Sequence, residues 1–60
     1  MNKEKTLKII ETRISDLDAL IKIGLQNESQ KNNVEMWQFA RNELVLVRDS
    51  VSDIEEGSEV

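Results

Sequence analysis

Two apolar stripes at heptad spacing constrain this chain more than any other feature. Trp37, Ala40, Leu44, Val47, Val51 and Ile54 follow one another at steps of 3, 4, 3, 4 and 3. Upstream, Leu7, Ile10, Ile14, Leu17 and Ile21 step by 3, 4, 3 and 4, and Gly24 takes the next place. Such steps hold side chains on one narrow strip of a helix, the strip that a helix buries against another helix. The pattern predicts an all-α chain, with helix 1 over about 3–25 and helix 2 over about 33–55. Asn2 is suited to cap helix 1, because its side-chain oxygen can accept from the first free backbone N–H groups.

Residues 26–33, QNESQKNN, are polar throughout and rich in side chains that compete with helical hydrogen bonding. They read as the loop of an antiparallel hairpin. Asn32 and Glu35 have the spacing of a capping box, and Ser29 is a second candidate start. Gly57 is expected just past the end of helix 2, where a residue without a Cβ is favoured. Residues 1–56 then form a single helical-hairpin domain, and 57–60 a short flexible acidic tail.

Pairing residues whose numbers sum to 61 gives core layers Leu7/Ile54, Ile10/Val51, Ile14/Val47, Leu17/Leu44, Ile21/Ala40 and Gly24/Trp37. The largest side chain meets the smallest in the last layer. On the flank of this seam the same register brings Glu11 towards Arg48, Asp18 towards Arg41 and Leu25 towards Val34. Exposed ion pairs contribute only ~0–1 kcal/mol each, so they select a register more than they hold a fold.

Composition narrows the function. The 60 residues contain neither Cys nor His. That removes thiol nucleophiles, disulfides and the commonest metal ligands, and leaves Ser and Thr without an imidazole base. The chain is therefore expected not to be an enzyme and to need no metal or other cofactor. Asp49 and Asp53, one helical turn apart, read as a solvated acidic helix end. The terminal Ser58-Glu59-Val60 and the Lys3, Lys5, Lys8 group are too short or too diluted by acids to define a motif. No apolar run reaches the ~20 residues of a membrane span, and the charged N-terminal segment does not read as a signal peptide. A cytoplasmic location is expected. Net charge is −4, and residues 25–60 carry three basic against eight acidic side chains. Such a balance disfavours nucleic acid and anionic membrane as partners.

A hairpin needs one seam, yet apolar residues remain. Ile9, Leu20 and Ile23 lie off the seam of helix 1; Met36, Phe39, Val45 and Leu46 lie off that of helix 2. All but Val45 fall on one flank. Leu20, Ile23, Met36, Phe39 and Leu46 are the expected partner-binding or dimerisation residues. Two hairpins packed as a four-helix bundle would bury them and supply core that a chain of this length lacks. The sequence thus suggests a small interaction module, a homodimeric inhibitor or adaptor of bacterial or phage regulatory type that binds another protein. Two alternatives are an RNA- or DNA-binding hairpin dimer using Lys5, Lys8 and Lys22, and an acidic nucleic-acid mimic presenting Glu28, Glu35, Glu43, Asp49 and Asp53.

Overall fold

The computed structural model describes residues 2–54, and Gly57 and the acidic tail lie outside them. The chain folds as two helices joined by a single 3-10 turn: α1 spans Lys3–Leu25, the turn Glu28–Gln30, and α2 Lys31–Ser52. The helices pack against each other along their lengths.

α1 begins and ends where its local chemistry dictates. The side chain of Asn2 accepts from the Lys5 backbone N–H at 3.0 Å, and the Asn2 carbonyl accepts from Thr6 N–H at 3.0 Å. At the far end, the backbone N–H groups of Gln26 and Asn27 donate to the carbonyls of Ile23 and Gly24, both at 3.1 Å, and close the last turn.

The start of α2 differs from the sequence expectation. Neither the Asn32/Glu35 box nor Ser29 caps it; Gln30 occupies the cap position and makes no side-chain capping bond. The capping residue is Asn27, which sits ahead of the 3-10 turn. Its Oδ1 accepts from Ser29 N–H at 3.1 Å and from Ser29 Oγ at 2.8 Å. This Asx turn starts the 3-10 turn, which runs directly into α2, so Asn32 and Asn33 fall in the first helical turn instead of the loop. α2 stops at Ser52, before the expected 55, with Asp53 N–H donating to the Asp49 carbonyl at 3.1 Å.

The free end of the hairpin is tied by Lys3. Its Nζ donates to the Ile54 carbonyl at 2.7 Å, joining residues 51 positions apart. The bond places a cation at the C-terminal end of α2, where the helix dipole favours one.

The seam holds Leu7, Ile10, Ile14, Leu17 and Ile21 from α1, Trp37, Ala40, Leu44 and Val51 from α2, and Ile54 just beyond it, all buried or half-buried. α2 is nevertheless turned relative to the expected seam. Val34 is the most buried hydrophobic residue described, at 5% exposure, whereas Val47 is 46% exposed. Arg41, Val45 and Arg48 are half-buried with it. The expected core position of Val47 is thus corrected, and Val45 acquires a place at the border of the seam.

Gly24 supplies the reason for this rotation. A Cβ built there would lie 2.5 Å from Val34 Cγ2 and 3.0 Å from Trp37 Cζ3. Both side chains close over the bare backbone, Val34 more tightly than Trp37. At this end Val34 buries against Gly24, and Leu25 is 64% exposed.

Candidate interaction surface

The two flanks of the hairpin differ in chemistry. On one flank Arg41 Nε donates to Asp18 Oδ1 at 2.6 Å, the expected cross-helix ion pair. Glu11 and Arg48 line a common shallow cleft of about 220 Å³ with Ile14, Ser15 and Asp18. The Arg48 guanidinium bonds its neighbour Asp49, however, at 3.3 and 3.4 Å. A second shallow cleft of about 310 Å³ is lined by Asp18, Ile21, Gln38, Arg41 and Asn42. Their linings are mostly polar, and each cleft contains both charge signs.

The opposite flank carries most of the exposed large apolar side chains. In an antiparallel helix pair, positions one step before the seam on both helices project to the same side, as do those two steps after it. Ile9, Leu20 and Ile23 from α1 and Met36, Phe39, Leu46 and Val47 from α2 share this side. All seven are exposed, from 41% at Leu20 to 68% at Phe39.

The height of each residue along the hairpin follows from the observed register. Asp18 pairs with Arg41 and Gly24 lies against both Val34 and Trp37, so residues whose numbers sum to about 60 lie at similar heights. Ile23 and Met36 are level nearest the loop, and Leu20 and Phe39 are level one turn below. Asp16 and Glu43 come next, then Arg13 with Leu46, and Ile9 lies nearest the free end. The five residues expected from the sequence are therefore all at the surface, four of them in one cluster at the loop end. Ile9 and Val47 extend the flank. The signal for Ile9 was its place on the same strip as Ile23; Val47 was hidden by its heptad position.

Inside the hairpin the buried hydrophobic residues among those described are Ile10, Ile14 and Val34, and no described side chain is fully enclosed. More large apolar side chains face outward than are fully enclosed. Single exposed apolar residues are ordinary, but the four gathered at the loop end, Leu20, Ile23, Met36 and Phe39, make a candidate contact surface.

Other chemistries find less support in the geometry. Lys5, Lys8 and Lys22 are exposed, yet Lys8 and Lys22 are about 21 Å apart along α1. They do not form a compact patch. Of the acids that could imitate phosphates, Glu28 pairs with Lys31 at 3.1 Å and Asp49 with Arg48 at 3.3 Å. Among the described residues no group of three or more His, Cys, Asp or Glu could hold a metal ion. No described helix is long and apolar enough to cross a membrane.

No protein-family model, curated protein or solved structure matches the chain.

Proposed function

We propose that this protein is a non-enzymatic interaction module: a helical hairpin that dimerises into a four-helix bundle and acts as an inhibitor or adaptor by binding another protein. The reading rests on the apolar flank formed by Leu20, Ile23, Met36, Phe39 and Leu46, which the hairpin exposes while enclosing little. Met and aromatic side chains are enriched at the centres of interfaces, and Met36 and Phe39 sit side by side at the loop end. The acidic balance of the chain makes another protein a better partner than nucleic acid. The compact format suits small regulatory proteins of bacteria and phages.

The test is the double substitution Met36→Asp/Phe39→Asp. Both residues face outward, so helicity by circular dichroism is expected to persist while association, with itself or with a captured protein, is lost. Collapse of the helical signal would show that the flank is core, and unchanged association would show that contact occurs elsewhere.

A further inference from the structure

We infer that the loop-end cluster of the flank takes a cationic amphipathic helix of another protein, one whose apolar stripe is bordered by Lys or Arg. The inference rests on the reading of that flank as a contact surface and adds the chemistry of the occupant. Charge supplies the argument. Residues three or four apart on a helix are surface neighbours. On α2 Phe39 therefore stands between Glu35 and Glu43, and on α1 Leu20 stands beside Asp16. No Lys or Arg lies three or four residues from Leu20, Ile23, Met36 or Phe39. Asp16, Glu35 and Glu43 are exposed, and none of them belongs to an ion pair among the described residues.

The basic residues of this half of the hairpin are placed elsewhere. Arg41 bonds Asp18 on the opposite flank, Lys31 bonds Glu28, and Lys22 stands one turn from Asp18. The cluster is thus apolar at its centre and acidic alone at its border. Opposite charge across a contact selects the partner and speeds encounter. The same acids repel the phosphates of nucleic acid and of anionic membrane. A second copy paired through this patch brings apolar side chains but only the same acids. A cationic helix answers both.

The spacing suits a helix. The pairs Ile23/Met36 and Leu20/Phe39 make two apolar levels about 4.5 Å apart, and Asp16 and Glu43 lie about 6 Å beyond them. A helix laid between α1 and α2 meets the two levels with apolar residues at i and i+3. Its residue i+7, as Lys or Arg, then reaches the acids.

The test uses labelled synthetic helices that share one short Leu stripe and differ only in its border, which is Lys, Gln or Glu. A further peptide holds the residues of the Lys-bordered helix in an order without amphipathic period. Fluorescence anisotropy is followed as the full chain is added at low salt. The Lys-bordered helix is expected to bind about tenfold more tightly than the Gln-bordered one, and the Glu-bordered helix more weakly still. Added salt should shrink the difference. Asp16→Asn/Glu35→Gln/Glu43→Gln should erase the preference for Lys. Met36→Gln/Phe39→Gln, which adds no charge, should abolish binding. Both variants change only exposed side chains, so helicity by circular dichroism is expected to persist. Equal binding of the three helices would overturn the cationic partner while leaving the flank as the contact surface. Binding of the scrambled peptide, or of the Lys-bordered helix to Met36→Gln/Phe39→Gln, would show a general attraction to an acidic chain and overturn the site. No binding of any helix would overturn the inference as a whole. Light scattering on the native chain and on Met36→Gln/Phe39→Gln would then decide separately whether the flank associates at all.

Discussion

Gly24→Ala offers a quantitative test of the packing at the loop end. A glycine in a helix normally costs up to about 1 kcal/mol relative to alanine, so the substitution would stabilise an unobstructed site. Here the new methyl would lie 2.5 Å from Val34 Cγ2 and 3.0 Å from the Trp37 ring. Val34 cannot easily yield, because a β-branched side chain in a helix has one strongly preferred rotamer and this one is 5% exposed. Overpacking of this kind costs about 1–3 kcal/mol. Subtracting the helical gain, reduced one residue from the end of α1, leaves a net loss of about 1 kcal/mol. That loss lowers the thermal midpoint by about 4–8 °C in a domain of this size.

Val34→Ala removes the obstructing methyls and costs roughly 1.5 kcal/mol in its own right. On that background Gly24→Ala is expected to be neutral or stabilising, a coupling of at least about 1 kcal/mol. The four proteins are compared by urea unfolding at one fixed chain concentration, since association shifts apparent stability. The close packing of Val34 on Gly24 is wrong if Gly24→Ala stabilises the native background or if its cost is the same in both backgrounds.

Three further predictions concern the local bonds. Lys3→Met keeps most of the methylene stem but removes the donor to the Ile54 carbonyl; a loss of about 0.5–1 kcal/mol is expected. Amide hydrogen exchange should accelerate most at the last turn of α2, and unchanged protection there would show that the tie is not formed in solution. Asn27→Ala removes the acceptor for Ser29 N–H and Oγ and should cost about 1 kcal/mol; no loss would mean that the 3-10 turn needs no cap. A double-mutant cycle on Asp18→Asn and Arg41→Gln should give a coupling below about 1 kcal/mol that shrinks as salt is raised. A coupling insensitive to salt would show that the pair is more enclosed than its half-exposed side chains indicate.

Much of the hairpin is legible in the sequence because its local signals agree. α1 occupies Lys3–Leu25 because Asn2 caps the stretch and the apolar steps run unbroken to Gly24. The Asp18–Arg41 pair and the meeting of Trp37 with Gly24 follow from one register applied to both halves. The rotational setting of α2 is less legible, for a physical reason. Its central stripe of Trp37, Leu44 and Val51 has a candidate border on each side. One contains Ala40, Val47 and Ile54, and the other Val34, Arg41 and Arg48. Apolarity alone favours the first. Gly24 admits Val34 and Asp18 draws in Arg41, so the second border packs inward as well and Val47 turns out, while Ala40 and Ile54 stay half-buried. That outcome depends on what lies across the seam, which periodicity within one helix does not contain.

The start of α2 was obscured in a similar way. Asn27, Asn32 and Asn33 all carry turn chemistry, but only Asn27 has Ser29 two residues ahead with both its N–H and hydroxyl in reach. At the surface, residue type marked the apolar flank well: exposure of Leu20, Ile23, Met36, Phe39 and Leu46 follows from their lying off the central stripe of each helix. Ile9 and Val47 complete the strip once the setting of α2 is known.

The proposal that the hairpin buries its apolar flank against a second copy is tested most directly by the concentration dependence of its thermal unfolding. A self-associating hairpin gains stability by mass action, so the midpoint of the native chain should rise steadily as its concentration is raised a hundredfold. Met36→Asp/Phe39→Asp should unfold at a lower midpoint that stays fixed over the same range. A native midpoint independent of concentration, for a chain shown by light scattering to be a single folded hairpin, would contradict the proposal.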